Sequence, residues 1–111
     1  MVRTVVETRH YALRAEKLLS DQERSELIDA IAANPLQGDL LVGTGGIRKA
    51  RFAKGGRGKS GGVRAIYYYG GADRPVFLLE IFGKNEKANL SPAERNALAK
   101  VVDEIKKQFR G

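Results

Sequence analysis

Seven cations crowd into one glycine-rich stretch, residues 43–64, which reads GTGGIRKARFAKGGRGKSGGVR. No acid occurs between Leu40 and Ala72, and the remaining 13 Lys and Arg are matched by 13 Asp and Glu, so the whole formal charge of +7 sits here. Because the positive charge is confined to one stretch of the chain, it predicts a binding site for a polyanion. The seven cations are Arg48, Lys49, Arg51, Lys54, Arg57, Lys59 and Arg64.

The length and composition limit what such a site can belong to. With 111 residues, 42% of them apolar, the chain predicts one domain, residues 1–111, around one core. It contains no cysteine and a single histidine, His10, which excludes disulfide frameworks, thiol nucleophiles and Cys/His zinc sites. We therefore expect no metal and no other cofactor. The N-terminus lacks the apolar segment of a signal peptide and no run is long enough to span a membrane, so we expect a cytoplasmic protein without a membrane partner.

The first third of the chain predicts a strand and a helix pair. Residues 2–8 form a short segment rich in β-branched side chains, which is typical of an edge or first strand. Apolar residues then recur at helical spacing over 9–19. Ser20, followed three residues later by Glu23, is the pattern that satisfies free amides at a helix start, and Asn34-Pro35 ends this second helix.

The rest of the chain predicts a meander that positions the cations. Strands are expected at 47–53, 63–69 and 76–82, joined by short links that favour antiparallel pairing. If Phe52 points to the core, Lys49 and Arg51 point together to the other face of their strand. On the next strand Arg64, Ile66 and Tyr68 share one side. A last helix is expected to begin at Ser91-Pro92 and to carry an apolar stripe.

The segment AKGGRGKS, residues 53–60, matches the loose form of a phosphate-binding loop that holds a nucleotide. Such a loop opens a helix after a parallel strand, whereas here two glycines and a β-rich run follow. The segment is better interpreted as a hairpin loop whose glycines allow sharp turns.

The segments GGIRKAR, GGVRAIYY and FGKNEK follow one another in the second half of the chain. Together they resemble the RelE superfamily of bacterial toxin–antitoxin toxins, and most closely its HigB branch. The resemblance implies an α+β, RelE-like fold, in which an N-terminal helix pair and a C-terminal helix surround a twisted, mainly antiparallel four-stranded sheet. It also implies helices packed on one side of that sheet and substrate bound on the other.

The same resemblance implies a function and partners. Such toxins are ribosome-dependent mRNA endonucleases that work at the decoding site and inhibit translation, and their partner is a helix-turn-helix antitoxin from the same operon. RNA cleavage without metal needs a base for the 2′-hydroxyl and cations for the five-coordinate phosphate. The usual bases are His or Glu, and the basic stretch has neither. A lysine would have to serve, and a lysine crowded by cations releases its proton more readily.

Residue roles follow from the resemblance by position. Arg64 is expected to bind the scissile phosphate, while Lys49, Arg51 and Lys84 share the base and charge-stabilising roles; which lysine is the base stays open. Asn85 stands where better-known RelE toxins have an arginine, and no tyrosine is evident near Leu90 to act as base. The residues expected to compensate or to bind RNA are Arg48, Lys54, Arg57, Lys59, Tyr68, Asn85 and Lys87.

Simpler interpretations stay open beside these. Tyr67 and Tyr69 are expected in the core, and Tyr68 is the one tyrosine of the three placed to stack on a base, because it shares a face with Arg64. The cations could form a non-catalytic basic module that binds RNA or the ribosome. The substitution Arg64→Ala separates the hypotheses, since it would abolish growth arrest by a nuclease but only weaken binding by a module.

Overall fold

Three helices and a five-stranded sheet make up residues 4–53, 62–86 and 89–109, which are the residues that this computed structural model describes. The strand order is β1-β5-β4-β3-β2, with β1 parallel to β5 and the other neighbours antiparallel. The predicted α+β fold and mainly antiparallel sheet are confirmed. In chain order the elements are β1 (Val5–Glu7), α1 (Arg9–Leu18), α2 (Asp21–Ala33), β2 (Asp39–Leu40), β3 (Ile47–Phe52), β4 (Val63–Tyr68), β5 (Val76–Gly83) and α3 (Pro92–Gln108).

Each helix begins at a hydroxyl side chain, and the sequence pattern predicts this for α2 and α3. The Thr8 hydroxyl accepts from the Tyr11 amide at the start of α1. Ser20 and Ser91 each form a capping box, with Glu23 and Glu94 respectively, at the starts of α2 and α3. These side chains satisfy amides that have no partner within the helix, which fixes where each helix starts.

The sheet has one strand more than the four predicted. The additional strand, β2, is only two residues long and pairs with β3, so it leaves no alternating pattern in the sequence. A tyrosine of β4 holds the segment that leads into β2. The Tyr67 hydroxyl donates to the Pro35 carbonyl at 2.8 Å and accepts from the Gly38 amide at 3.1 Å. A β-carbon at Gly38 would lie 2.9 Å from the Lys49 carbonyl oxygen, so only glycine allows this approach.

One face of the sheet packs against α1 and α2. Tyr11, Ala15, Leu27 and Ile31 of the helices are buried in one cluster with residues of β3, β4 and β5. The strand members of this cluster are Ala50, Val63, Ala65, Tyr67, Val76, Leu78 and Ile81. The burial of Tyr67, and the partial burial of Tyr69 against the same cluster, confirm the predicted core positions of these tyrosines.

The opposite face is partly covered by α3, which corrects the implied arrangement of helices on one side only. Ile47, Ile66, Tyr68 and Phe82 project from this face as a large apolar surface. Burying such a surface is favourable, and a helix with an apolar stripe does so. The apolar surface of the sheet packs against buried Leu90, just before α3, and against Val102 and Ile105 within α3. None of the helices described is long and apolar enough to cross a membrane.

Candidate functional site

An open cleft of about 380 Å³ lies on the α3 face of the sheet, where cationic side chains of β3 and β4 line it. Alternation along β3 sends Lys49 and Arg51 to this face, while Phe52 packs in the core on the other side, as predicted. Arg64 reaches the same cleft from β4. The residues that line the cleft are Gln37, Asp39, Lys49, Ala50, Arg51, Arg64 and Asn89.

Two arginines face each other directly in this cleft. Arg51 and Arg64 are partners in the antiparallel register of β3 and β4, which places their β-carbons about 5 Å apart. Like charges in that position repel each other. Arg64 is only 8% exposed, and no acid within the described residues forms an ion pair with either arginine. Because a buried arginine normally has an anionic partner, the pair indicates a site for a bound anion.

Lys49 is held by a side chain from outside the sheet. Its ammonium group donates to the Asn89 Oδ1 at 2.6 Å. Asn89 lies two residues before Ser91, the residue that caps α3, so the position of the amide depends on where that helix begins. The charged end of Lys49 is thereby directed over the cleft.

Polar side chains complete the rim on the β2 side. Asp39 is the register partner of Lys49 across β2 and β3, and its side chain lines the cleft. The side-chain amide of Gln37 donates to the Ala30 and Asn34 carbonyls at 2.9 and 3.0 Å, which anchors this segment to the end of α2. A cleft with three cations, one carboxylate and two amides can hold a phosphate and accept or donate protons beside it.

Comparison with known proteins shows the family. Residues 3–109 match the family model of the RelE toxin of the RelE / RelB toxin-antitoxin system. The chain belongs to the RelE toxin family. It is therefore a toxin of a toxin–antitoxin system, a class that inhibits translation, and an antitoxin is its implied partner. Its place in the HigB branch of these toxins stays a prediction.

A solved structure of the Escherichia coli toxin RelE has the same fold. That structure is of a double arginine-to-alanine mutant in the free state. It is 17% identical in sequence, the alignment covers 99% of this chain and 100% of that chain, and the TM-score is 0.57. At this identity the likeness establishes the RelE fold, and residue roles have to be argued from the geometry of this chain.

Lys84 and Asn85 lie in a second depression of this RelE fold, of about 170 Å³, at the end of β5. Neither lines the cleft that contains Arg64. The Lys84 amide donates to the Gly62 carbonyl at 3.2 Å, so this turn is tied to the start of β4. The expected grouping of Lys84 with Lys49 and Arg51 is thus replaced by two neighbouring sites.

The turn that holds Lys84 is also anchored to α1. Arg14 donates to Glu86 in the turn and to the Ile81 carbonyl. The hydrogen bond to Glu86 is the main cause that raises the pKa of Arg14 above its ordinary value. The β4–β5 register shifts between Ile66 and Tyr67, and on β5 the Glu80 carboxylate bonds the His10 ring of α1 at 2.8 Å. These contacts give the turn a fixed position relative to the sheet.

Two of the residues expected to bind RNA have other contacts. Arg48 donates to the Gly38 carbonyl at 2.8 Å and the Leu36 carbonyl at 3.3 Å, and so supports the segment that leads into β2. Tyr68 is 1% exposed, and the expectation that its ring stacks on a base is wrong for this conformation, because stacking needs an open ring face. Lys106 of α3 lies over that ring at 6.0 Å from its centroid.

Several expected site residues cannot be placed. Lys54, Arg57, Lys59 and Lys87 lie outside the described residues. Conversely, three residues of the cleft rim were not recognised in the sequence: Gln37, Asp39 and Asn89. Asp39 has one signal, since it is the last acid before the long acid-free stretch. Gln37 and Asn89 have none, because only the folded chain brings them beside the cations.

Proposed function

We propose that this toxin is a ribosome-dependent endonuclease that cuts mRNA by attack of a 2′-hydroxyl on the adjacent phosphate. The observation that carries the proposal is the buried Arg64 directly opposite Arg51, with no acidic partner within the described residues. An RNA phosphate supplies the missing negative charge and fits two guanidinium groups by paired hydrogen bonds.

Each cation of the cleft has a role in this proposal. Arg64 binds the scissile phosphate, and Arg51 stabilises the charge that builds up on it during attack. Lys49, held by Asn89, adds a third positive charge and a proton donor. Such preorganised groups act most strongly on the charge of the transition state, where removal of one typically costs about 10²- to 10³-fold in rate.

The charge distribution supports mRNA on the ribosome as the substrate. The formal charge of +7 is concentrated in the stretch that includes the cleft. Contacts with phosphates release counterions, which favours a basic protein at a site built from ribosomal and messenger RNA. Lys84 and Asn85, in the neighbouring depression, are placed for a second contact with the RNA backbone. The proposed partners are the decoding site of a cytoplasmic ribosome, mRNA and a helix-turn-helix antitoxin.

The proposal is tested by inducing expression of the wild type and of Arg64→Ala while growth is followed and mRNA 5′ ends are mapped. The wild type should arrest growth and cut translated messages. Loss of the Arg64 guanidinium, which binds the phosphate in this proposal, should lower the cleavage rate by about 10³-fold and restore growth. A matched control is Arg9→Ala, which removes the same charge from the exposed start of α1.

The alternative is a non-catalytic module that binds RNA or the ribosome through the same cations. Normal growth and intact mRNA on expression of folded wild-type toxin would refute the nuclease and favour that module. In that case Arg64→Ala and Arg51→Ala would weaken ribosome binding to similar extents.

A further inference from the structure

Of the described residues that line the cleft, Asp39 is the one that carries a carboxylate. The short strand β2 exists at this point because Tyr67 and Arg48 bind the segment that precedes it. Pairing of β2 with β3 then sets Asp39 directly across from Lys49, on the same face of the sheet. An acid is thus built into a site whose other described charged groups, Lys49, Arg51 and Arg64, are cations.

The Asp39 side chain has no partner among the residues that the structure describes. Within the described residues it forms no hydrogen bond or ion pair, although a lysine stands opposite it. Lys49 instead donates to the Asn89 amide oxygen at 2.6 Å. Asp39 is exposed and forms no described pair with the neighbouring Lys49, so its carboxylate is available to a ligand.

We propose that Asp39 is the general base of this toxin and accepts the proton of the attacking 2′-hydroxyl. The inference rests on the nuclease activity proposed above and replaces the lysine base expected from the sequence. Among the described residues, the charged groups that line the cleft with Asp39 are Lys49 and Arg51 of β3 and Arg64 of β4, while Gln37 and Asn89 are neutral. A carboxylate can accept a proton at neutral pH at once, whereas a lysine must first release its own.

The reaction balances with these groups. The O2′–H bond breaks and its proton moves to the Asp39 carboxylate, while the oxygen forms a bond to phosphorus. The P–O5′ bond breaks with its electron pair on O5′, which takes a proton from the Lys49 ammonium group. The products are a 2′,3′-cyclic phosphate and a 5′-hydroxyl, and proton exchange with water restores both side chains.

The test is the single-turnover cleavage rate of mRNA on programmed ribosomes, measured for Asp39→Asn, Asp39→Glu and the wild type. Asparagine keeps the shape of the side chain but cannot accept the proton, so the rate should fall by about 10²- to 10⁴-fold. Glutamate should restore part of it. Ribosome binding by Asp39→Asn should be unchanged or tighter, because a negative charge has been removed. Asp29→Asn, at an exposed position on α2, is the matched control.

The pH profile supplies a readout that a structural role would not change. A carboxylate base predicts a wild-type rate that does not rise between about pH 6 and 9, because carboxylates ordinarily lose their protons well below that range. A rate that rises tenfold for each pH unit over this range would indicate a lysine that must lose its proton, and would overturn the proposal.

The failure of this inference can be distinguished from failure of the nuclease proposal. If the wild type cuts, Arg64→Ala does not, and Asp39→Asn cuts at the wild-type rate, Asp39 is not the base although the toxin is a nuclease. If the wild type itself leaves mRNA intact on the ribosome, both proposals fall together.

Discussion

The two faces of the sheet are built from the same strands but have opposite characters. On β4, Val63, Ala65 and Tyr67 are buried under α1 and α2, while Arg64 points to the other face and lines an open cleft. The helix α3 packs on the part of that second face that includes Ile47, Ile66, Tyr68 and Phe82. One face therefore stabilises the fold, and part of the other is left uncovered and charged.

This difference shows how the chain tolerates opposed arginines in its sheet. Repulsion between Arg51 and Arg64 destabilises the fold slightly, and the apolar face supplies far more stabilisation than that. The uncovered end of the second face can consequently be used for a ligand. The following substitutions alter one face, the other face, or the Tyr67 contact that links them.

The largest effect on stability is expected on the face of the sheet that α1 and α2 cover. Leu78 of β5 is fully buried against α1 and α2. Leu78→Ala should therefore lower the free energy of unfolding by about 2–5 kcal/mol, through lost burial and a residual cavity. Arg51→Ala, on the charged face, should leave stability unchanged or raise it slightly. Urea denaturation of both variants measures the contrast, which would be wrong if Arg51→Ala were the more destabilised of the two.

A smaller effect is expected at Tyr67, which links the two regions. Tyr67→Phe would leave the Pro35 carbonyl and the Gly38 amide without their partner, at a cost of about 1–3 kcal/mol. Because this bond holds the segment that carries Asp39, cleavage should fall as well. Tyr68→Phe is the control, since the Tyr68 hydroxyl has only a 3.3 Å contact with Arg74 within the described residues.

The stabilisation from Tyr67 should also depend on pH. Burial raises the pKa of Tyr67 above its ordinary value of 10.0. The folded state thus retains the phenol proton more tightly than the unfolded chain, so the contribution is fully present below about pH 10 and is lost as the pH rises through the folded-state pKa. In urea denaturation, the difference in stability between wild type and Tyr67→Phe should narrow above pH 10; a constant difference would contradict this.

The smallest effect is expected at the rim of the charged face. Asn89→Ala removes the hydrogen bond that directs Lys49, so cleavage on the ribosome should slow by about tenfold, or about 1.4 kcal/mol. Unfolding should change little, because Asn89 is exposed. Asn96→Ala, at an exposed position on α3, should have no effect on either. Equal cleavage by Asn89→Ala and wild type would show that Lys49 needs no support.

The sequence predicted the elements whose signals are local. The capping boxes at Ser20 and Ser91 mark helix starts, and they lie where the structure has them. Alternation placed Lys49 and Arg51 together on one face of β3, and Arg64 together with Ile66 and Tyr68 on one face of β4, because a strand has a period of two residues. The helix starts and the faces on which the cations lie follow from such short-range patterns, whereas the RelE-like arrangement of the elements was implied by the resemblance.

The remainder depends on contacts between distant parts of the chain. Asn89 meets Lys49 across 40 residues, and no local pattern reveals that contact. Tyr68 shares a face with Arg64, as predicted, but α3 covers the part of that face where Tyr68 lies. Asp39 became a candidate base only when β2 was found opposite Lys49. Which part of a face is covered is decided by tertiary packing, which one sequence does not display.

The ends of the sheet bear on how the free toxin behaves at high concentration. The edge strands, β2 with two residues and β1 with three, are the shortest strands described. A long exposed edge is a template on which further chains add as strands and aggregate. These edges offer too few backbone groups in register for such growth. The shortness of the outer strands therefore disfavours edge-to-edge polymerisation of this fold.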